Sequence, residues 1–89
     1  MALFKLGKVV ATPAALQQCM DHGIEPISLL ERHAGGDWGN LSAEDVAENV
    51  HSVQHDLRIF STYHIGSEKV WVITEADRSS TCLLLPSEY

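Results

Sequence analysis

The sequence predicts a single α+β domain over residues 1–89: an N-terminal strand, two short helices, one longer helix, and a three-stranded antiparallel meander with the helices packed on one face. Three observations carry this reading. The last third, Leu57 to Tyr89, divides into the strand-like runs LRIFSTYHI, KVWVITEA and TCLLLP, separated by the short turns GSE and DRSS. The stretch from Thr12 to Gly36 holds two proline-led helix starts, each followed by a glycine stop. Residues 43–56 then carry apolar side chains at helical spacing.

The first strand is read in LFKLGKVVA, Leu3 to Ala11, bent at Gly7. Thr12 is an N-cap and Pro13 a first helical residue, so a helix runs from Pro13 to about Asp21 and stops at Gly23. Glu25-Pro26 repeats the signal for a helix to about His33, ended by Gly35-Gly36. GGDWGN, Gly35 to Asn40, is a turn-rich loop around one large aromatic. Ser42 with Asp45 three residues on resembles a capping box, and opens a helix from Ala43 to about Asp56. Its residues Val46, Val50, Val53 and Leu57 form one apolar stripe, with Glu44, Glu48, His51 and His55 on a polar face. The meander strands run about Arg58–Ile65, Lys69–Ala76 and Thr81–Leu85, the last stopped by Pro86. The first strand is expected at a sheet edge or beside the C-terminal strand.

Composition excludes more than it assigns. A chain of 89 residues buries only ~60–65% of its unfolded surface, so its core is thin. Hydrophobic content of 45% is that of a folded domain. Twelve acidic against six scattered basic residues, net charge −6, argue against nucleic acid and anionic membrane as partners. Two cysteines, Cys19 and Cys82, without a CxxC spacing read as buried thiols. No apolar run reaches the ~18 residues of a membrane span, and the N-terminus lacks a signal-peptide pattern, so a reduced, cytoplasmic protein is expected. No cofactor motif is found.

Three groups of residues could carry chemistry. His51 and His55 stand at i and i+4, a metal-ligand spacing, but without the adjacent Glu of zinc proteases; both also suit a helix C-terminus. His33, Asp37 and Trp38 lie together in the glycine-rich turn, where Trp38 is either a binding anchor or a core plug. Arg58, Tyr63, Glu75, Arg78 and Ser79 come from the meander and its turns. With His33 or His64 they supply the ingredients of a metal-independent ribonuclease, in which a base and a phosphorane-stabilising Arg do the work. Glu75 and Arg78, which flank a hairpin turn, also read as a plain surface ion pair.

The blocks RHAGGDWGNLSAEDVAEN (Arg32 to Asn49) and RIFSTY…VWVITEADRSSTCLLLPSEY (Arg58 to Tyr89) resemble a group of small uncharacterised bacterial proteins carried on plasmids and integrative elements. The resemblance covers most of the chain from Gly7 onward; its most specific pieces are the GDWG turn and VITEADRS…LLLP. Members are sometimes labelled plasmid-related or as a restriction-modification subunit, although this chain has no glycine-rich strand–helix turn for a methyl-donor cofactor. The resemblance implies a mobile-element accessory protein, with no catalytic residues to carry over.

The favoured expectation is a non-enzymatic, protein-binding or regulatory module using Asp37, Trp38, His33, Arg58, Tyr63 and Arg78. Homodimerisation through an exposed strand edge is an accompanying expectation. The alternatives are a small ribonuclease-like enzyme or toxin, and an acidic inhibitor that captures a basic host nuclease.

Overall fold

The computed structural model describes residues 2–89. The order is β1 (Lys8–Ala11), α1 (Pro13–Asp21), α2 (Pro26–Ala34), α3 (Ala43–His55), β2 (Ile59–Ile65), β3 (Glu68–Thr74), β4 (Ser80–Leu84) and a closing 3₁₀ turn, Pro86–Glu88. The α+β class and the antiparallel meander follow the sequence reading. The sheet has four strands in the order β1-β4-β3-β2, and it is mixed, because β1 joins β4 in parallel. The first strand therefore lies at an edge and beside the C-terminal strand at once.

The helix starts are built as their residues suggest. Thr12 Oγ1 accepts from the Ala15 N–H at 3.1 Å and Ser42 Oγ from the Asp45 N–H at 3.2 Å, each satisfying an N–H that the helix leaves open. Strand β1 is shorter than Leu3–Ala11. Gly7 bends at φ +65, and a Cβ there would strike the main-chain carbonyls of Arg78 and Ser79, so only glycine fits this approach.

Strand register sorts side chains onto two faces. One face carries Ala11, Leu83, Val72 and Ser61 in one row, Thr81, Thr74 and Ile59 in the next, then Val70 and Tyr63. Helices α1 and α2 cover it with Ala15, Cys19, Leu29 and Leu30, making the main core. The opposite face carries Val10, Cys82, Ile73 and Phe60, then Leu84, Trp71 and Thr62. There the aromatic rings cover their neighbours: Phe60 meets Trp71 edge-on at 5.0 Å, and Tyr89 meets Trp71 at 5.8 Å. Cys19 is buried as expected, whereas Cys82, on this second face, is half-buried.

The β2 edge is closed by side chain and loop rather than by another strand. The Asn49 amide donates to the Phe60 carbonyl at 2.6 Å and accepts from the Phe60 N–H at 3.2 Å. The Trp38 carbonyl accepts from the Thr62 N–H, the Asn40 N–H donates to the Thr62 carbonyl, and Asn40 Oδ1 accepts from the His64 N–H. Such coverage blunts pairing by a foreign strand. The other edge is β1, four residues long and opened by Lys8.

Helix α3 departs from the usual rule for amphipathic helices. It turns Asn49 and Ser52 inward, and only Val53 of the apolar stripe is half-buried. Val46, Val50 and Leu57 are 38%, 48% and 45% exposed. The inward position is taken by Asn49 because the β2 edge offers an unpaired N–H and C=O, and an amide satisfies both while a valine satisfies neither.

Candidate functional site

The residues singled out in the sequence separate into a buried group and a surface group. His33, Trp38 and Tyr63 are buried, at 0%, 6% and 1% exposure. The Trp38 indole donates to the His33 carbonyl at 3.0 Å, and the Tyr63 hydroxyl to the Asp37 carbonyl at 2.7 Å. The GDWG turn is thereby clamped from both sides. Gly39, at φ +78, lies so close to Thr62 that a Cβ would overlap the Thr62 carbonyl oxygen, which accounts for glycine at that place.

His33 sits in a closed chain of hydroxyls. Its Nδ1 meets Ser61 Oγ, and its Nε2 lies 2.9 Å from Thr74 Oγ1. Thr74 Oγ1 is 2.7 Å from Thr81 Oγ1, which donates to the Leu6 carbonyl at 2.7 Å. The direction of the chain follows from its end. A carbonyl only accepts, so Thr81 donates to it and accepts from Thr74; Thr74 then accepts from His33. His33 is therefore the neutral tautomer with the proton on Nε2, and Ser61 donates to Nδ1. Burial pushes its pKa down to about 4. Burial also raises Tyr63 to about 12. These groups hold the N-terminal segment, α2 and three strands together, and none faces solvent.

Arg78 is also committed to the frame. It occupies the left-handed region at φ 60. Its guanidinium donates to the carbonyls of Leu57, Glu75 and Ala76 from one nitrogen and to Ser52 from the other, at 2.7–3.1 Å. It thus ties the end of α3 to the β3–β4 turn, with Asp56 at 4.0 Å.

Asp37 and Arg58 are the two members of the set with largely exposed side chains. Arg32 Nε donates to Asp37 at 2.8 Å and holds that carboxyl below its usual range; the same guanidinium lies 4.5 Å over the Tyr63 ring. Arg58 pairs with Glu75 at 3.2 Å and donates to the Tyr89 hydroxyl at 2.9 Å, beside the Phe60–Trp71–Tyr89 aromatic group. The ribonuclease ingredients do not converge. His33 is enclosed, and His64 lies at the far end of β2 from Arg58, about 20 Å along the strand. The rings of His51 and His55 lie 4.1 Å apart, tilted at 40°, and among the described residues no three His, Cys, Asp or Glu groups are placed to hold a metal ion.

The sequence reading did not single out Asn49 or the Ser61–Thr74–Thr81 hydroxyls. Their signal was present: a lone Asn inside a helix, and hydroxyl residues within or at the ends of the strand-like runs. The outward turn of the α3 stripe had no such local signal. Among the described residues, no helix is long and apolar enough to cross a membrane. Compared with family models, curated proteins and solved structures, the chain matches none.

Proposed function

We propose that this chain is a non-enzymatic, protein-binding accessory module, the mobile-element role implied by its resemblance. The observation that supports this reading most is the apolar stripe that α3 turns to solvent. An amphipathic helix ordinarily gains its stability by burying that stripe. Here the helix is anchored by Asn49, by Ser52 through Arg78, and by its Ser42 cap, which leaves Val46 and Val50 partly open to solvent. Exposed, regularly spaced apolar side chains of this kind mark interaction surfaces. Leu57 leads directly to Arg58, so the stripe ends beside the one arginine of the predicted set that stands with the aromatic group. Dimerisation by strand pairing is left with β1 alone, since the β2 edge is occupied.

The test is affinity capture from a bacterial lysate, followed by reconstitution with the purified captured protein, using wild type, Val50→Asp and Asp37→Ala. Binding by wild type and Asp37→Ala, and loss with a still-folded Val50→Asp, supports the reading. The absence of any specifically retained protein overturns it.

A further inference from the structure

His33 is sealed from solvent by a segment that belongs to no helix or strand. Residues 2–6 pass the end of α2 before β1 begins. Among the described residues two hydrogen bonds attach them: the Leu3 N–H donates to the Ala34 carbonyl at 2.8 Å, and the Thr81 hydroxyl to the Leu6 carbonyl at 2.7 Å. Leu3 is exposed, and Phe4 and Leu6 are half-buried. The packing against α2 is incomplete, because an open groove of about 310 Å³ lies between Ala2 and Leu6 on the segment and Ile27, Leu30, Glu31 and Ala34 on the helix side. A segment with few buried contacts and few hydrogen bonds opens at lower cost than a sheet. From Gly7 onward the chain is fixed. Gly7 is pressed against the Arg78 and Ser79 carbonyls, and the Lys8 N–H donates to the Ser79 carbonyl at 3.0 Å.

Phe4 is the part of the segment that meets His33. The two rings stand edge-on with centroids 5.2 Å apart, so a half-buried phenyl ring screens a fully buried imidazole. The imidazole is built to carry one proton. Neutral His33 accepts from Ser61 at Nδ1 and donates to Thr74 from Nε2. A proton added at Nδ1 turns that acceptor into a donor, so the Ser61 hydroxyl must reverse and a charge enters the chain. The ionisable groups on the surrounding elements are Lys5 on the segment, Glu31, Arg32 and Asp37 on and after α2, Tyr63 on β2, Glu68 on β3 and Arg78 after it, and none hydrogen-bonds to the imidazole. Arg32 and Asp37 pair with each other, and Lys5, Glu31 and Glu68 are exposed. Tyr63 keeps its proton, and Arg78 is itself a cation, 5.6 Å over the Phe4 ring. A charged His33 therefore has hydroxyls for company and no carboxylate, and burial alone holds its pKa down to about 4.

We propose that residues 2–6 form a strap that protonation of His33 releases: the segment lifts from the end of α2 about Gly7, water reaches the imidazole past Phe4, and the sheet and helices stay folded. The closed strap holds His33 neutral, whereas the open one lets it titrate as an ordinary histidine. The open form thus binds the extra proton first. The strap is closed at neutral pH, and its opening is favoured progressively as pH falls below the ordinary value of 6.5.

The experiment is native-state hydrogen exchange on the full chain, read by nuclear magnetic resonance at several low urea concentrations. It compares the amides of Leu3 and Lys8, which lie on either side of Gly7. Opening constants are corrected for the intrinsic pH dependence of exchange. The Leu3 opening constant is expected to exceed that of Lys8, to be insensitive to urea, and to rise about twentyfold from pH 7 to pH 5. His33→Gln can still accept from Ser61 and donate to Thr74 but takes up no proton, so it is expected to abolish that rise while Leu3 still opens first. Phe4→Ala keeps the test independent of how His33→Gln folds: the titration midpoint of His33, followed through its ring signals, is expected to move from about 4 toward 6.5. Opening of Leu3 and Lys8 together, with the same urea dependence, overturns the strap. A Leu3 opening constant that ignores pH, or a His33 midpoint unmoved by Phe4→Ala, overturns its control by His33.

Discussion

Trp38 and Val50 both lie beside the β2 edge, yet one is 6% exposed and the other 48%. The difference comes from what each segment brings to the same row of backbone groups. The loop at Trp38 pairs main chain to main chain with Thr62, so the indole is drawn under the end of α2, where His33 offers it a carbonyl. Helix α3 has no free main chain to offer, because its N–H and C=O groups are used along its own axis. It meets the edge through the Asn49 side chain, and that choice rotates its valines outward. One side of the molecule is therefore held by interior packing and buried hydrogen bonds. The other is held by a few polar attachments and leaves apolar side chains partly exposed.

The largest expected effect falls on the buried side. Trp38→Ala should cost about 3–5 kcal/mol, since it empties an indole site and leaves the His33 carbonyl without its donor. Urea denaturation measures it; a cost under about 1 kcal/mol would place Trp38 with the surface group instead.

A pH series separates the two sides next. His33 titrates near 4 when folded against an ordinary value of 6.5, so the unfolded chain binds the extra proton between those values. Stability is then complete above about pH 6.5 and falls as pH drops toward 4, by about 3 kcal/mol in all. Glu88, and then Asp37 and Asp77, whose carboxyls are held below their ordinary values of 4.5 and 3.8, add their own losses as pH falls through those values. A flat stability profile between pH 6.5 and 4 would contradict the buried, neutral imidazole.

Much of this architecture was legible from residue order. Thr12-Pro13, Glu25-Pro26 and Ser42 place three helix starts because capping and proline chemistry are local. The meander was legible because its turns are short and its apolar runs are bounded. The parallel pairing of β1 with β4 was not, since Val9 and Val10 suit either direction equally. The site was legible as a set of residue types but not as positions. His33 and Arg78 look like chemistry in a sequence; only the fold shows that one closes a hydroxyl chain and the other gathers four carbonyls. The orientation of α3 rests on one amide meeting one distant strand edge, a long-range fact that its own periodicity contradicts.

Thr62 offers a smaller test. Its hydroxyl is buried without a hydrogen-bond partner among the described residues. Thr62→Val keeps the branched shape and removes the unsatisfied group, so it should stabilise the fold by about 1 kcal/mol, read as a raised melting temperature. A loss of stability would mean that the hydroxyl has a partner, such as a bound water.

The smallest expected change is the most direct test of the contrast between the two sides. Equilibrium urea unfolding of Val50→Asp should match wild type to within about 0.5 kcal/mol, because a side chain 48% exposed has little packing to lose when it gains a charge. A loss of about 2 kcal/mol or more would show that the valine stripe is part of the core, and the docking surface assigned to α3 would not exist.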